Sequence, residues 1–407
     1  KMLRTAALTI SIGSACGFSV NLFNKPNTGR DLRSGVVALN MIDCHGGSHL
    51  SAQQKKALRE TAELVARSGK GITACDEGPG TIGDRFDKVG IVNTEENRRL
   101  YRQMLFTNPV GPDYLSAAIL DPETIFQRSD AGEPFPSLLM SQGIVPGVKP
   151  HLKVAVLPGA GGATVMQGLD SLGTRCRSYY EAGARFAKWR SPLVIKDGDI
   201  SDLAVRTNME DLARYALICQ SEGLMPIVEP DISLQGDYDL ETAIRVNVKV
   251  QSHLYKAMLD HGVYMEGTTL KPNMVNPGKS CQHKYTAEEL GEATVTVLRR
   301  CMPCAMPGVN FLSGGQSLED AAARLNAINR AKGNSPWNLS FSWSQALQLP
   351  LLELCTKNPP GSPLPLQEMS ELLSKELAIA GAAARGEYQP APGQGDHVPP
   401  AKAAAMA

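Results

Sequence analysis

Lys271 ends the otherwise uncharged run Gly267-Thr-Thr-Leu-Lys271 and is followed by Pro272, so it reads as the last residue of a buried strand. Lysine is rarely buried without a reason. Desolvation, or a second cation nearby, lowers its pKa and frees a neutral amine that can attack a carbonyl. A single lysine of this kind is more often a strand-end ion-pair partner whose stem snorkels along apolar surface. The balance changes because charged residues recur at equivalent places. Asp76 follows Gly71-Ile-Thr-Ala-Cys75, and Lys149 follows Ile144–Val148. Lys188 and Arg190 sit in Phe186-Ala-Lys-Trp-Arg190, Glu229 and Asp231 in Ile227-Val-Glu-Pro-Asp231, and Ser313-Gly314-Gly315 follows Val309–Leu312. Alternation along a strand puts Lys188 and Arg190 on one face of theirs, and Glu229 and Asp231 on one face of theirs.

Together these residue types can do a definite chemistry. A neutral Lys271 attacks a ketone to give a carbinolamine and then an iminium ion, which serves as an electron sink. Lys188 nearby is expected to hold the Lys271 pKa down by like-charge repulsion. Glu229 is suited to relay protons, and Asp76 to accept a hydroxyl proton, which opens retro-aldol carbon–carbon cleavage. Ser313, Gly314 and Gly315 offer a hydroxyl and backbone N–H groups of the kind that hold a phosphate after the seventh strand of a barrel. A Ser-Gly-Gly run on its own is weak, since glycine pairs are mostly turns. Its place in the order strengthens it.

The elements needed to bring these groups together are legible as an alternation. Strand candidates are Gly71–Asp76, Tyr114–Leu120, Ile144–Val148, Arg185–Arg190, Leu224–Ile232, Gly267–Lys271, Val309–Leu312 and Asn338–Ser342. Helical spacing fills 52–69, 94–106, 168–184, 208–222, 239–261, 286–302, 317–331 and 344–355. Eight strands with intervening helices predict a (β/α)8 TIM barrel, whose strand carboxyl ends share one mouth. The expected organisation is an N-terminal extension over 1–48, a barrel over 49–356, and a C-terminal segment over 357–407. That last segment holds a proline-rich linker, a helix near 367–384 and a flexible Gly/Pro/Ala-rich tail.

Composition sets outer bounds. Lys plus Arg and Asp plus Glu number 41 each in 407 residues, giving no sign of nucleic-acid binding or of a polybasic membrane anchor. Nine scattered cysteines lack a disulfide-framework spacing, which favours a reducing compartment. Cys301-Met-Pro-Cys304 is a lone CxxC and reads as helix-end packing. The seven histidines form no HExxH, so a catalytic metal has no support. Residues 1–30 contain Lys1, Arg4, Lys25 and Arg30 and no acid, a composition shared by transit peptides and disordered extensions; plastid stroma and cytoplasm both stay open. The apolar part of this segment is interrupted by polar residues and glycine, making it a poor membrane span.

The chain resembles the class I (Schiff-base) fructose-bisphosphate aldolases over roughly residues 50–388. The runs that carry the resemblance are Phe186-Ala-Lys-Trp-Arg190, Pro226-Ile-Val-Glu-Pro230, Leu270-Lys-Pro-Asn-Met-Val275 and Phe311-Leu-Ser-Gly-Gly-Gln-Ser317, with Gln167-Gly-Leu-Asp170 and Leu325-Asn-Ala-Ile-Asn329. The resemblance implies a metal-free, cofactor-free (β/α)8 homotetramer that cleaves fructose 1,6-bisphosphate to dihydroxyacetone phosphate and glyceraldehyde 3-phosphate, in glycolysis, gluconeogenesis or the Calvin cycle. It implies that Lys271 is the Schiff-base lysine and that Asp76, Lys188 and Glu229 form the acid–base group. It places Ser313 to Gly315 at the first phosphate, and Lys149 and Arg190 near the second, with Asp231 beside them.

Departures from the family pattern bear on substrate. Asp76-Glu-Gly-Pro-Gly-Thr81 puts Gly78 and Thr81 where the family carries serines, and of a lysine–arginine pair only Arg85 is kept. A phosphate-binding arginine is replaced by Gln345, which offers neither the charge nor the forked donors. The second-phosphate end is therefore expected to be weakened. This keeps sedoheptulose 1,7-bisphosphate and fructose 1-phosphate open as alternative substrates, beside a scaffold protein on an aldolase frame. The family usually ends in a tyrosine that assists proton exchange, whereas this sequence ends Met406-Ala407.

Overall fold

The computed structural model describes residues 46–399. The acid-poor N-terminal segment, the extension over 1–48 except for its last three residues, and the end of the tail from 400 lie outside them.

Among the described residues ten strands occur in chain order: β1 (Gly71–Cys75), β2 (Leu115–Leu120), β3 (Val145–Val148), β4 (Val154–Val156), β5 (Thr164–Met166), β6 (Phe186–Leu193), β7 (Met225–Ile232), β8 (Thr269–Leu270), β9 (Gly308–Phe311) and β10 (Asn338–Trp343). Eight of them close a parallel barrel in the order β1-β10-β9-β8-β7-β6-β3-β2, while β4 and β5 form a separate antiparallel hairpin. All eight predicted barrel strands are present. The hairpin was not expected, because three-residue strands carry too little alternation to read. The helix Pro79–Lys88 was also not expected. Its sequence holds three of the residues that usually mark turns, Pro79, Gly80 and Gly83, yet proline at the first helical position is preorganised for helix.

The inside of the barrel is graded along its axis. On the inward face, β1 carries Ile72 and Ala74, β2 Ala117 and Ile119, β3 Val145, β6 Phe186, and β7 Met225 and Ile227, forming one buried apolar cluster. The helix Ala52–Val65 adds Leu58, Ala62 and Val65 to that same cluster, sealing the amino-terminal floor. Its start is fixed by a capping box in which Ser51 and Gln54 satisfy each other's backbone N–H. Continuing two residues at a time toward the carboxyl ends, the same faces turn charged: Asp76, Asp121, Lys149, Lys188, Arg190, Glu229 and Asp231. The main core lies outside this, between the strands and the surrounding helices, which include Asp202–Ser221, Leu240–Asp260, Ala287–Cys301 and Leu318–Ala331.

Strand β8 is shorter than predicted. Residues 265–267 form a 3₁₀ turn instead, and the buried Gln220 amide donates to the carbonyls of Tyr264 and Gly267. The ladder still reaches the lysine, because Lys271 N–H donates to the Val228 carbonyl at 2.9 Å.

The C-terminal helix, Leu366–Ala384, joins the outer layer through Met369, Leu373, Leu377 and Ala380. The tail expected to be flexible is tied down in its first part. Arg324 donates to the carbonyls of Gly395 (2.6 Å) and Asp396 (3.2 Å), and Asp396 caps the N–H of Ala287 at 2.9 Å. Tyr388 anchors the turn by donating to Gln394 at 3.0 Å. Cys301 ends its helix with its thiol against the Val248 carbonyl, in keeping with a packing role. No helix among the described residues is long and apolar enough to cross a membrane.

Gly147 of β3 is required by packing: a Cβ there would lie 2.3 Å from the Phe186 ring on the barrel interior. Overpacking a core costs roughly 1–3 kcal/mol. Gly147→Ala is expected to lower the chemical denaturation midpoint correspondingly. A midpoint equal to wild type would mean that the barrel interior has slack at this layer.

Candidate active site

The charged ends of the strands border a cavity of about 690 Å³ at the mouth of the barrel. Lys188, projecting from β6, is buried and reaches two carboxylates: Asp76 Oδ2 at 2.8 Å and Glu229 Oε2 at 3.0 Å. The other oxygen of Glu229 lies 3.4 Å from Lys271 Nζ. Four buried groups from β1, β6, β7 and β8 therefore form one chain: Asp76, Lys188, Glu229, Lys271.

Their ionisation follows from burial and sign. Burial alone pulls Lys188 down, but Asp76 and Glu229 together more than offset it, so its pKa ends above the ordinary lysine value. Burial pushes Asp76 up, and Lys188, Lys149 and Lys271 outweigh that to hold it well below the usual carboxylate range. Glu229 is likewise raised by burial and lowered further by Lys188, Lys271 and Arg190. Lys271 is the exception among the four in that burial wins: its pKa falls below the ordinary value, with Glu229 opposing and Lys188 adding to the fall. Both expected causes act on Lys271, with desolvation the larger and like-charge repulsion from Lys188 the smaller. The site thus holds one fixed cation, two carboxylates kept ionised, and one lysine biased toward its neutral amine.

The remaining expected residues line the same cavity, but most of the cations are already paired. Lys149 lies 3.0 Å from Asp121, Arg190 Nε lies 2.6 Å from Asp231, and Arg85 lies 3.0 Å from Glu77. Glu77 is held from its other side by the buried Arg102 at 3.3 Å. Ser313 is buried, and Gly314 and Gly315 adopt left-handed φ angles of 61° and 76°, which favour glycine. Neither glycine N–H enters a backbone–backbone hydrogen bond, so both remain available in the loop. Gln345 opens the helix that follows β10, and its Oε1 lies 3.4 Å from where a Gly315 Cβ would stand. That places Gln345 beside the Ser313–Gly315 loop. The sequence reading put its loss of charge at the second-phosphate end, whereas its neighbour in the structure is the loop expected to meet the first. Gly78 precedes the helix Pro79–Lys88 and faces Asp121 and Lys149, where a Cβ would stand 3.5 and 3.8 Å from their tips.

The sequence reading missed Asp121, the partner of Lys149 beside the cavity, and two residues that line it, His151 and Lys279. Asp121 follows β2 as Asp76 follows β1, so the same two-residue period would have found it. His151 packs its ring edge-on to Trp189 at 5.7 Å. Its nitrogens are buried without partners, and burial, aided by Lys188 and Lys149, holds its pKa well below the usual value. Lys279 lines the cavity from the loop after β8, where no strand period marks it. Among the described residues, no cluster of three or more His, Cys, Asp or Glu is placed to hold a metal ion.

The family model for class-I fructose-bisphosphate aldolase matches residues 57–399. This chain belongs to that family. It is 47% identical over 347 residues to the fructose-bisphosphate aldolase of Echinococcus multilocularis, covering 85% of this chain and 96% of the relative. It is 45% identical over 340 residues to aldolase B of Gallus gallus, covering 83% and 92%. Among solved structures it resembles the Plasmodium falciparum fructose-bisphosphate aldolase, determined in complex with TRAP and a small-molecule inhibitor. That match has a TM-score of 0.80 and 42% identity, covering 84% of this chain and 98% of the other. The barrel expected of the aldolase family is the barrel found, and aldolases are lyases.

The charge order of the four buried groups can be tested by titration. Lys188→Met removes a cation near Lys271 and leaves two carboxylates less compensated, and both changes favour the Lys271 ammonium. The pH of half-maximal borohydride trapping with dihydroxyacetone phosphate is expected to move upward in this variant, with circular dichroism confirming the fold. A downward shift would show that Lys188 does not act on Lys271 in the stated direction.

Proposed function

We propose that this chain is a fructose 1,6-bisphosphate aldolase working through a Schiff base on Lys271. The observation that carries the reading is the 3.4 Å approach of Lys271 Nζ to Glu229, in a site where burial biases the lysine toward neutrality. A residual proton on Lys271 passes to Glu229, and the free amine adds to the C2 ketone. Glu229 then returns that proton to the carbinolamine hydroxyl, which leaves as water and yields the iminium ion. Asp76 accepts the C4 hydroxyl proton as the C3–C4 bond breaks. The bonding pair moves into the iminium to give an enamine, and glyceraldehyde 3-phosphate departs. Lys188 stays protonated throughout as a fixed positive charge that orients both carboxylates. Protonation of the enamine carbon and hydrolysis of the imine release dihydroxyacetone phosphate and regenerate Lys271.

The phosphate ends are assigned within the same proposal. Ser313, Gly314 and Gly315 hold the first phosphate with hydroxyl and backbone N–H groups. Lys149, Arg190 and Arg85 face the second, their charges tempered by Asp121, Asp231 and Glu77. We also propose a homotetramer, as the family resemblance implies. An apolar edge around the β4–β5 hairpin, with Leu152, Val154 and Val156 all exposed, supports a subunit contact there. Light scattering on the purified chain tests the assembly.

The function is tested by borohydride reduction in the presence of fructose 1,6-bisphosphate, followed by peptide mass mapping. A reduced triose-phosphate adduct on Lys271, absent in Lys271→Met, is the expected result. Folded protein that gives no adduct and no triose phosphate would defeat the reading and favour a scaffold role.

A further inference from the structure

We infer that Lys279 is the cation that binds the substrate's first phosphate in this chain, a role that no sequence motif assigned to it. The inference rests on the aldolase reading for the identity of the ligand and on the geometry of the loop for everything else. Six basic side chains line the main cavity: Arg85, Lys149, Lys188, Arg190, Lys271 and Lys279. The first five each lie within ion-pair distance of a carboxylate. Lys279 has no such partner among the described residues, and its side chain is exposed to the cavity and to the smaller pocket beside it. Among the described residues of the mouth, its charge is therefore the one left unspent.

That charge is in a specific place. Lys279 Nζ lies 3.8 Å from where a Gly315 Cβ would stand, and Gln345 Oε1 lies 3.4 Å from the same point. The ammonium, the neutral amide and the open N–H groups of Gly314 and Gly315 thus surround one position. A phosphate dianion gains from N–H dipoles and a hydroxyl, but an unpaired cation adds charge-assisted hydrogen bonding that neutral donors do not. Gln345 supplies no charge, and Lys271 is committed to the carbonyl. Lys279 is left to supply it.

The backbone holds Lys279 at this position. Gly278, Lys279 and Ser280 donate in succession to the carbonyls of Tyr238 (2.8 Å), Leu234 (2.8 Å) and Gly236 (2.9 Å). The loop after β8 is thereby laced to the loop after β7. Gly278 makes the lacing possible, because a Cβ there would stand 2.3 Å from the Gly236 carbonyl oxygen. Only the side chain of Lys279 has to be ordered by the ligand.

The location predicts which substrates respond. Fructose 1,6-bisphosphate and fructose 1-phosphate both carry the phosphate that Lys279 would meet, so both should feel its loss. Lys279→Met is expected to raise KM about five- to tenfold for both sugars with kcat changed less than about twofold, as for removal of uniform binding by one charge. Lys279→Arg should keep KM near wild type. Gln345→Arg added to Lys279→Met should recover much of the loss, since it returns a cation to the same point. Unchanged KM for both sugars in Lys279→Met would overturn the inference, as would a rise confined to the bisphosphate. The dissociation constant of inorganic phosphate, measured by calorimetry on the same proteins, needs no turnover. If wild-type protein cleaves neither sugar, the aldolase reading falls. Weaker phosphate binding by Lys279→Met would then still support the cation, and equal binding would refute it.

Discussion

The position of Lys188 between Asp76 and Glu229 is the constraint on which the rest of the site depends. Two carboxylates and two amines cannot be buried within a few ångströms of one another unless their charges nearly cancel. By staying protonated, Lys188 lets both carboxylates remain ionised in a desolvated place, and this in turn leaves Lys271 with less than a full partner of its own. The reactivity of one lysine, lowered first by burial, thus also leans on the firmness of another. Removing a single member of such a cluster strands a charge in low dielectric, which typically costs about 3–5 kcal/mol.

The barrel can carry that cluster because its interior changes character along the axis. The lower layers are apolar and sealed by the helix Ala52–Val65, with Phe186 filling the space that Gly147 leaves open. The upper layer is almost entirely charged or hydroxylic. Strands β1, β2, β3, β6 and β7 each root themselves two or four residues before their charged tips in close-packed hydrocarbon, so those tips have little freedom to wander. The positional accuracy of the mouth is inherited from the floor.

How much of this could be read in the sequence varied with the signal available. The eight barrel strands were legible because apolar runs of five or so residues recur between helical patterns, and the catalytic candidates because a charge at the end of such a run is conspicuous. Asp121 obeyed the same rule and was overlooked, lying outside any distinctive motif. The β4–β5 hairpin was hidden by its brevity, and the Pro79–Lys88 helix by residues that more often mark turns. The pairing of Lys149 with Asp121 and of Arg190 with Asp231 was not legible, because each partner lies on the neighbouring strand and only the sheet register brings them together, and Glu77 reaches Arg85 only through the turn into the helix Pro79–Lys88. Lys279 was invisible for the opposite reason: it sits in an irregular loop whose shape is fixed by hydrogen bonds to another loop. The placement of Gln345 against Gly315 likewise depended on how the loops after β9 and β10 meet.

The floor helix also bears on how the chain is made. Residues 52–65 leave the ribosome before any barrel strand, yet the apolar face of that helix, Leu58, Ala62 and Val65, packs on strands β1, β2, β3, β6 and β7, the last of which ends at residue 232. For the time it takes to synthesise some 170 further residues, the nascent chain carries a stopper whose seat is still incomplete. Vectorial synthesis therefore presents this barrel from its first helix onward with an unsatisfied greasy stripe, the kind of surface that chaperones engage and that aggregation exploits.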